Sequence, residues 1–445
     1  MVDWSKLPDL AAVAFLTCAF ASVERKARSS MSGLWLLGWA MIMFHFAAYL
    51  FLPAPSPWSD IASYIGVTAL AGAGVLFMWA AVPYRQRVSS QWILASILGT
   101  IALYVGLLVI DPFASWALAP AAVLFGALPL TITLITFPRF NHPLRWTVVV
   151  LFCSLSIFLL IFQRHPDNGT MLALNALLFT VFLGCSIHFW YAYPRATAGA
   201  LITIAGFFAW AAVFVVGPSL ATFMPSFHLE DEVWNLPKYV VAVGMILVLL
   251  ENQIEDNKYL ALHDELTGLP NRRLFQDRLS GALDRARRSG AQVALMLVDL
   301  NDFKRVNDTV GHHVGDHLLK HVGELFTGRV RRSDTVARTG GDEFSVILEE
   351  PMTRADAVRV GKTLTSLLDN PLEVDGNNIC VGASIGIAVF PDDAHDAESL
   401  CIAADRRMYA GKNAAKANIG EQSQPVFRPT PHHARKPQPG LRTAE

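Results

Sequence analysis

Cysteine is scarce in this chain, with five in 445 residues, and none of them forms a C-x-x-C pair. A disulfide framework and a zinc site of the usual spacing are both excluded as readings. Cys18, Cys153 and Cys185 fall in apolar runs, Cys380 and Cys401 in a more polar part, and all five read as structural. Excess charge is missing too: the net charge is −1, which offers no electrostatic footing for duplex nucleic acid. Charge is also missing locally. Only 20 of the first 250 residues are Lys, Arg, Asp or Glu, while the remaining 195 carry 53. One globular domain would not divide its charge so sharply, so residues 1–251 read as a membrane domain and the rest as soluble.

Apolar runs of membrane length recur at roughly 8–23, 33–52, 60–82, 92–110, 115–137, 145–163, 169–192, 197–216 and 236–251, which makes nine spans. The first is flanked by Asp3, Lys6 and Asp9 instead of a basic cluster, which argues against a cleaved signal peptide. Alternate loops divide the basic residues unequally. Arg25, Lys26, Arg28, Arg85, Arg87, Arg139, Arg145 and Arg195 fall in one set; Lys6, Arg164 and Lys238 fall in the other. Positive charge marks the cytoplasmic side. With nine spans the N-terminus lies outside and everything after residue 251 lies in the cytoplasm, the arrangement of a multi-pass protein of a bacterial inner membrane. Trp35, Trp58, Trp92, Trp116 and Trp190 are placed as interfacial anchors. Acids are essentially absent from the spans, which disfavours a transporter. His45 and His188 lie in apolar runs, where a haem, proton sensing or a hydrogen-bonded helix contact could each employ them. The long external loop 217–235 is a candidate sensing surface.

Past the last span, Leu247, Leu250, Ile254, Leu260 and Ala261 keep a helical stripe, so residues 252–263 read as a stalk helix or a continuation of the span. Gly268 and Pro270 then break the helix, and Asn271 can cap a new one over 272–288. Val293–Val298 is a buried-strand pattern ending at Asp299, a position that suits either a metal ligand or a helix N-cap. Asn307, His312 and Asp316 bracket a loop before a helix across 315–328. Thr335–Arg338 and Phe344–Leu348 read as a hairpin whose tip is Thr339-Gly340-Gly341-Asp342-Glu343. Two glycines allow the positive φ of a tight turn and close approach of a ligand. The two acids beside them could hold a metal ion near phosphates, or be solvated turn residues. A strand at 379–389 and a helix at about 396–414 complete residues 264–419. The hairpin requires a mixed or antiparallel sheet, so the fold class is α+β, with helices packed on a mainly antiparallel sheet.

The motifs Asp264…Leu266-Thr267-Gly268-Leu269-Pro270-Asn271-Arg272, Asp299…Phe303-Lys304…Asn307-Asp308…Gly311-His312…Gly315-Asp316, Gly340-Gly341-Asp342-Glu343-Phe344 and Ala383-Ser384-Ile385-Gly386-Ile387-Ala388 stand in one order. In these, residues 258–418 resemble a GGDEF domain of the diguanylate cyclase family. The resemblance implies condensation of two GTP molecules to cyclic di-GMP with release of two pyrophosphates, by a homodimer presenting one GTP per subunit. It further implies Mg²⁺, or Mn²⁺ in its place, on Asp299, the Leu300 carbonyl, Asp342 and Glu343, with Asp342 also the candidate base. Asn307 and Asp316 would read the guanine edge, with His312 in the same pocket. Lys304, Lys412, Lys416 and Arg338 would meet the triphosphate; Ala415-Lys416-Ala417 departs from the family's usual residues there. Arg331 and Asp334 would form the R-x-x-D site at which product inhibits, although a bare R-x-x-D is also a surface ion pair.

The reading is thus a membrane-bound diguanylate cyclase, with a catalytically silent GGDEF receptor for GTP or cyclic di-GMP as the alternative. Residues 420–445 hold Pro425, Pro429, Pro431, Pro437 and Pro439 without periodicity, and read as a disordered tail with no phosphodiesterase segment of the EAL type.

Overall fold

In the computed structural model, the chain divides into two compact units, residues 1–255 and 256–445. The residues described are 2–27, 30–81, 91–111, 115–136, 143–162, 169–224, 226, 231–349, 353–368, 371–374, 377–419 and 427–428.

The first unit is all helical. Its helices are α1 (Leu7–Ala27), α2 (Ser30–Tyr49), α3 (Trp58–Ala80), α4 (Gln91–Ile110), α5 (Ser115–Thr136), α6 (Pro143–Phe162), α7 (Gly169–Ala192), α8 (Ala198–Phe223) and α9 (Asp231–Leu262). Among the described residues, eight helices are long and apolar enough to cross a membrane, and the apolar part of α2, Gly33–Tyr49, is shorter. The interior is aromatic: Trp35 stacks on Phe189 at 5.5 Å, and Trp210 on Phe182 at 4.0 Å.

Several sequence readings change here, and one open choice closes. Trp35 is 1% exposed and belongs to the core, whereas Trp58, Trp92, Trp116 and Trp190 are exposed as interfacial residues should be. Arg145 is no loop residue; it lies buried in α6 and donates to the Thr133 carbonyl at 3.1 Å. The spans do hold an acid, because Asp9 is buried in α1. Of the uses open to the two intramembrane histidines, each makes the helix contact: His45 Nδ1 meets the Gly66 carbonyl at 2.9 Å, and His188 Nδ1 the Gly184 carbonyl at 2.7 Å. Arg28, Arg85, Arg87, Arg139 and Arg164 fall outside the described residues, as does the tail apart from Phe427–Arg428. The external loop is shorter than its sequence reading, because residues 217–223 belong to α8 and 231–235 to α9.

The second unit follows α9 with α10 (Arg272–Ser289), β1 (Val293–Leu300), α11 (Phe303–Val310), α12 (His312–Thr327), β2 (Thr335–Arg338), β3 (Glu343–Leu348), α13 (Arg354–Leu368), β4 (Leu372–Val374), β5 (Asn377–Ile379), β6 (Ala383–Phe390), α14 (Ala397–Ile419) and β7 (Phe427–Arg428). Asn271 caps α10 as its sequence predicts, accepting from the amides of Arg273 and Leu274. The main sheet has the order β2-β3-β1-β6 and is antiparallel throughout. A small sheet joins β4, β5 and β7.

Strand alternation sorts the two faces of β1. Ala294, Met296, Val298 and Leu300 pack with α11, α12 and α13 through Val306, Leu318, Val322 and Leu364. Val293 and Leu295 face the other way, onto Phe275 and Leu279 of α10 and Leu400 and Ala404 of α14. Asp299 has the same parity as Val293 and Leu295, so the pleat turns it to the α14 face. That placement builds the site.

Candidate active site

Asp299, one residue before the end of β1, is 8% exposed and pairs in register with Glu343, the first residue of β3. Directly opposed residues of an antiparallel pair share a face, so two acidic residues stand on one face at this strand end. The ladder runs one step further, the Leu300 amide donating to the Asp342 carbonyl at 3.2 Å. Lys412 arrives from α14, its Nζ 2.7 Å from Asp299 Oδ1. The lysine is held above its ordinary range, first by the hydrogen bond to Asp299, against burial, and then by the charges of Asp299, Asp342 and Glu343. Asp299 is not the N-cap of α11: that position belongs to Asp302, which takes left-handed φ of 56° and makes no side-chain cap bond.

The hairpin tip departs from its sequence reading. Neither Gly340 nor Gly341 has the positive φ expected of a tight Gly-Gly turn. What Gly340 supplies is space, because a Cβ there would stand 2.5 Å from Glu343 Oε2. The carboxylate of Glu343 folds back over a residue that has no side chain.

Arg338 holds the tip in place. Its Nη1 donates to both oxygens of Asp264, at 2.9 and 3.1 Å, and its Nε and Nη2 donate to the Gly341 carbonyl at 3.1 and 2.7 Å. Burial alone would raise the Asp264 carboxyl, but hydrogen bonds from Thr267 and Arg338 outweigh it and leave the group below its usual range. The amide of Arg338 also donates to the Pro270 carbonyl, which ties the entry segment to β2. Asp264 was legible as a family position; its clamp on the turn was not.

Asn307, His312 and Asp316 do not bracket a loop. Asn307 lies in α11, and His312 and Asp316 lie in α12, with Gly311 between the helices at φ 89°. Asn307 Oδ1 is buried without a hydrogen-bond partner, the one such side-chain atom in the second unit among the described residues. It lies close against Gly315, where a Cβ would come within 1.8 Å of it. His312, Asp316 and Lys304 are exposed. Lys416 lies in α14, and its side chain is outside the described residues.

Arg331 and Asp334 sit on a turn before β2. Asp334 accepts from the Arg331 amide at 2.8 Å and from the Glu349 amide at 3.1 Å, so this acid also shapes the backbone. The cleft beside it is lined by Arg329, Arg331, Asp334, Asp356 and Arg359, and sequence reasoning missed Arg329 and the paired Asp356 and Arg359 of α13. Only the fold brings α13 to the turn, and no spacing could have announced it.

Among the described residues no three His, Cys, Asp or Glu side chains converge closely enough to form a metal cluster. The chemistry of the donor set fits a hard divalent cation, since Asp299 and Glu343 are register partners at the strand end and Asp342 precedes Glu343 in the chain. Such a strand end can hold a cation on oxygen ligands and present Lys412 to an anion.

Taken together, the second unit is an α+β domain with an acidic, glycine-tipped strand end. Residues 261–418 match the family described as "Diguanylate cyclase, GGDEF domain". The chain belongs to that family, as a GGDEF-domain protein with an N-terminal multi-span apolar module. It is 39% identical over 189 residues to the bifunctional diguanylate cyclase/cyclic di-GMP phosphodiesterase MucR of Pseudomonas aeruginosa, covering 39% of this chain and 27% of that protein. Against the diguanylate cyclase TpbB of the same species, identity is 37% over 170 residues, covering 38% and 39%. A solved structure of a delta-N mutant of TpbB that comprises only the GGDEF domain shares 39% identity, with 34% of this chain on 89% of that one at a TM-score of 0.34. The chain thus spans 27–39% of the length of these two curated relatives.

Proposed function

We propose that this protein is a membrane-bound diguanylate cyclase. Two GTP condense to one cyclic di-GMP and two pyrophosphates: each 3′-hydroxyl oxygen bonds to the other nucleotide's α-phosphorus, each α–β phosphoanhydride bond breaks, and two protons leave. The observation that carries this reading is the Lys412–Asp299 ion pair at the strand end where Asp299 pairs in register with Glu343.

Asp299, the Leu300 carbonyl, Asp342 and Glu343 would hold Mg²⁺ or Mn²⁺. When bound, such an ion supplies charge neutralisation on phosphate oxygens. The chain's own residues position and neutralise. Lys412 and Lys304 meet the phosphates, with Lys416 on the same helix as Lys412. Arg338 keeps the Gly340–Gly341 turn in place, and its phosphate contact is subordinate to the bonds it makes with Asp264 and Gly341. Asp342 accepts the 3′-hydroxyl proton. Asn307 and Asp316 accept from the guanine N1–H and 2-amino group, donors adenine lacks there, and His312 borders that pocket.

The reaction needs two nucleotides facing each other, so a homodimer supplies one half-site per subunit. Arg331 and Asp334, joined by Arg329 and Arg359, form a product-binding brake. The excess of Lys and Arg in alternate loops supports a cytoplasmic catalytic domain and an external N-terminus.

The test is turnover of the full chain in lipid nanodiscs with GTP and Mg²⁺. Cyclic di-GMP and pyrophosphate should appear in a one-to-two ratio, and ATP should give no cyclic product. GTP binding without turnover would leave the receptor reading in its place.

A further inference from the structure

The end of β1 is held from both sides. Asp299 pairs in register with Glu343 of β3 and with Ser384 of β6. Opposed residues share a face, so Glu343, Asp299 and Ser384 form a row across three strands. Past Asp299 the hydrogen bonds alternate. The Leu300 amide donates to the Asp342 carbonyl at 3.2 Å, and the Asn301 amide donates to the Gly382 carbonyl at 2.8 Å. Asn301 follows the last residue of β1, and its side chain adds a second hold: the buried Ser384 donates its hydroxyl to Asn301 Oδ1 at 2.8 Å. Asn301 also lies against Gly382, where a Cβ would stand 3.3 Å from its Nδ2.

Peptide planarity gives that hold a consequence. A trans peptide unit points its C=O opposite to its N–H. The unit joining Leu300 to Asn301 aims its N–H at Gly382, on the β6 side. The Leu300 carbonyl therefore points the other way, toward β3 and the step from Asp342 to Glu343. Among the described residues, the Asp342 amide returns no bond to that carbonyl. Asp302 then turns the chain away with φ of 56° and makes no side-chain cap bond to α11. What anchors this peptide on its β6 side is the Asn301 amide on Gly382 and the Asn301 side chain on Ser384.

We propose that Asn301 and Ser384 are positioning residues, whose bond locks the Leu300–Asn301 peptide so that the Leu300 carbonyl faces the cation site. The proposal rests on the cyclase reading, in which that carbonyl joins Asp299, Asp342 and Glu343 as an oxygen donor. Asn301 and Ser384 act through the peptide and touch neither cation nor nucleotide. Groups that orient a ligand from behind govern metal affinity nearly as strongly as the ligands themselves.

The test is electron–nuclear double resonance of Mn²⁺ bound to the full chain in nanodiscs. Leucine carbonyls carry ¹³C, and the nucleotide is 3′-deoxy-GTP, which cannot condense. Wild type should show the ¹³C coupling of a directly ligated carbonyl. Asn301→Ala and Ser384→Ala should lose it and bind Mn²⁺ about tenfold or more weakly, the scale for loss of an orienting group. Their affinity for 3′-deoxy-GTP at saturating Mn²⁺ and their melting temperatures should stay near those of wild type. Asn301→Asp keeps the acceptor and Ser384→Thr keeps the donor, so both should retain the coupling. Should Ser384→Ala fail to fold, Asn301→Ala, at a half-buried turn position, decides alone. A wild-type coupling that persists in the folded alanine variants overturns the proposal and leaves the cyclase reading standing. Bound Mn²⁺ without any ¹³C coupling in wild type overturns it as well, by removing the Leu300 carbonyl from the donor set. Wild type that binds no Mn²⁺ overturns it together with the metal-dependent reading beneath it.

Discussion

Lys412 Nζ stands 2.7 Å from Asp299 Oδ1, joining the last helix of the GGDEF unit to the acid one residue before the end of β1. Because the lysine's folded-state value is raised, the pair stabilises fully below the unfolded lysine range, near 10.4, and that stability is lost as pH rises through the raised value. Lys412→Met should therefore remove an alkaline component of unfolding, read from melting temperature against pH between neutral and strongly alkaline buffer. It should also lower turnover by about 100-fold, as loss of one preorganised charge contact does. An unchanged alkaline limb would show that the pair carries no folding energy.

Asp264 and Arg338 make the complementary acid-side case. The Asp264 carboxyl lies below its ordinary range, so its contribution is present above the unfolded carboxylate value, near 3.9, and is lost as pH falls through the folded one. Asp264→Asn should cost about 2 kcal/mol at pH 7, in line with hydrogen bonds to charged groups, and much less in strong acid. Amide exchange at Gly268 and Asn271 should speed up in the variant. Equal loss at both pH values would assign the effect to packing instead.

Gly340→Ala tests what the signature turn requires. A Cβ at Gly340 would meet Glu343 Oε2 at 2.5 Å, so the substitution should displace that carboxylate. Cyclic di-GMP formation should fall by about 100-fold with GTP binding and melting temperature nearly kept, while Gly341→Ala, open around its Cβ position, should be milder. Equal effects at the two glycines would mean that backbone freedom, and not room for Glu343, is the requirement.

How much of this could be read from the residues varies with the range of the physics. The cap at Asn271, the hairpin at Thr335–Leu348 and the apolar spans rest on local pattern, and the sequence showed them. The junction of Asp299 with Glu343 was legible only through family resemblance, since register joins residues 44 apart in chain number. Other features rest on tertiary packing alone. Lys412 reaches Asp299 because α14 lies on the face to which the pleat turns that acid. Burial of Trp35, Arg145 and Asp9 depends on helix partners that hydropathy cannot assign. The Asn307 region misled for a simpler reason: a loop was read where the single residue Gly311 separates two helices.

Arg331→Ala separates the brake from catalysis. Added cyclic di-GMP should no longer slow the reaction, and steady-state product should rise, while initial velocity stays near that of wild type. Arg359→Ala, in the same cleft, should weaken inhibition in the same direction. Full inhibition of both variants would reduce Arg331 and Asp334 to a backbone turn.

The most direct measurement of the central claim is single-turnover chemistry of wild type and Asp342→Ala, each as full chain in nanodiscs with GTP and Mg²⁺. The account predicts cyclic di-GMP from wild type and none from the variant, with both retaining the fold and bound nucleotide. Cyclic di-GMP formed by Asp342→Ala at the wild-type rate would contradict it.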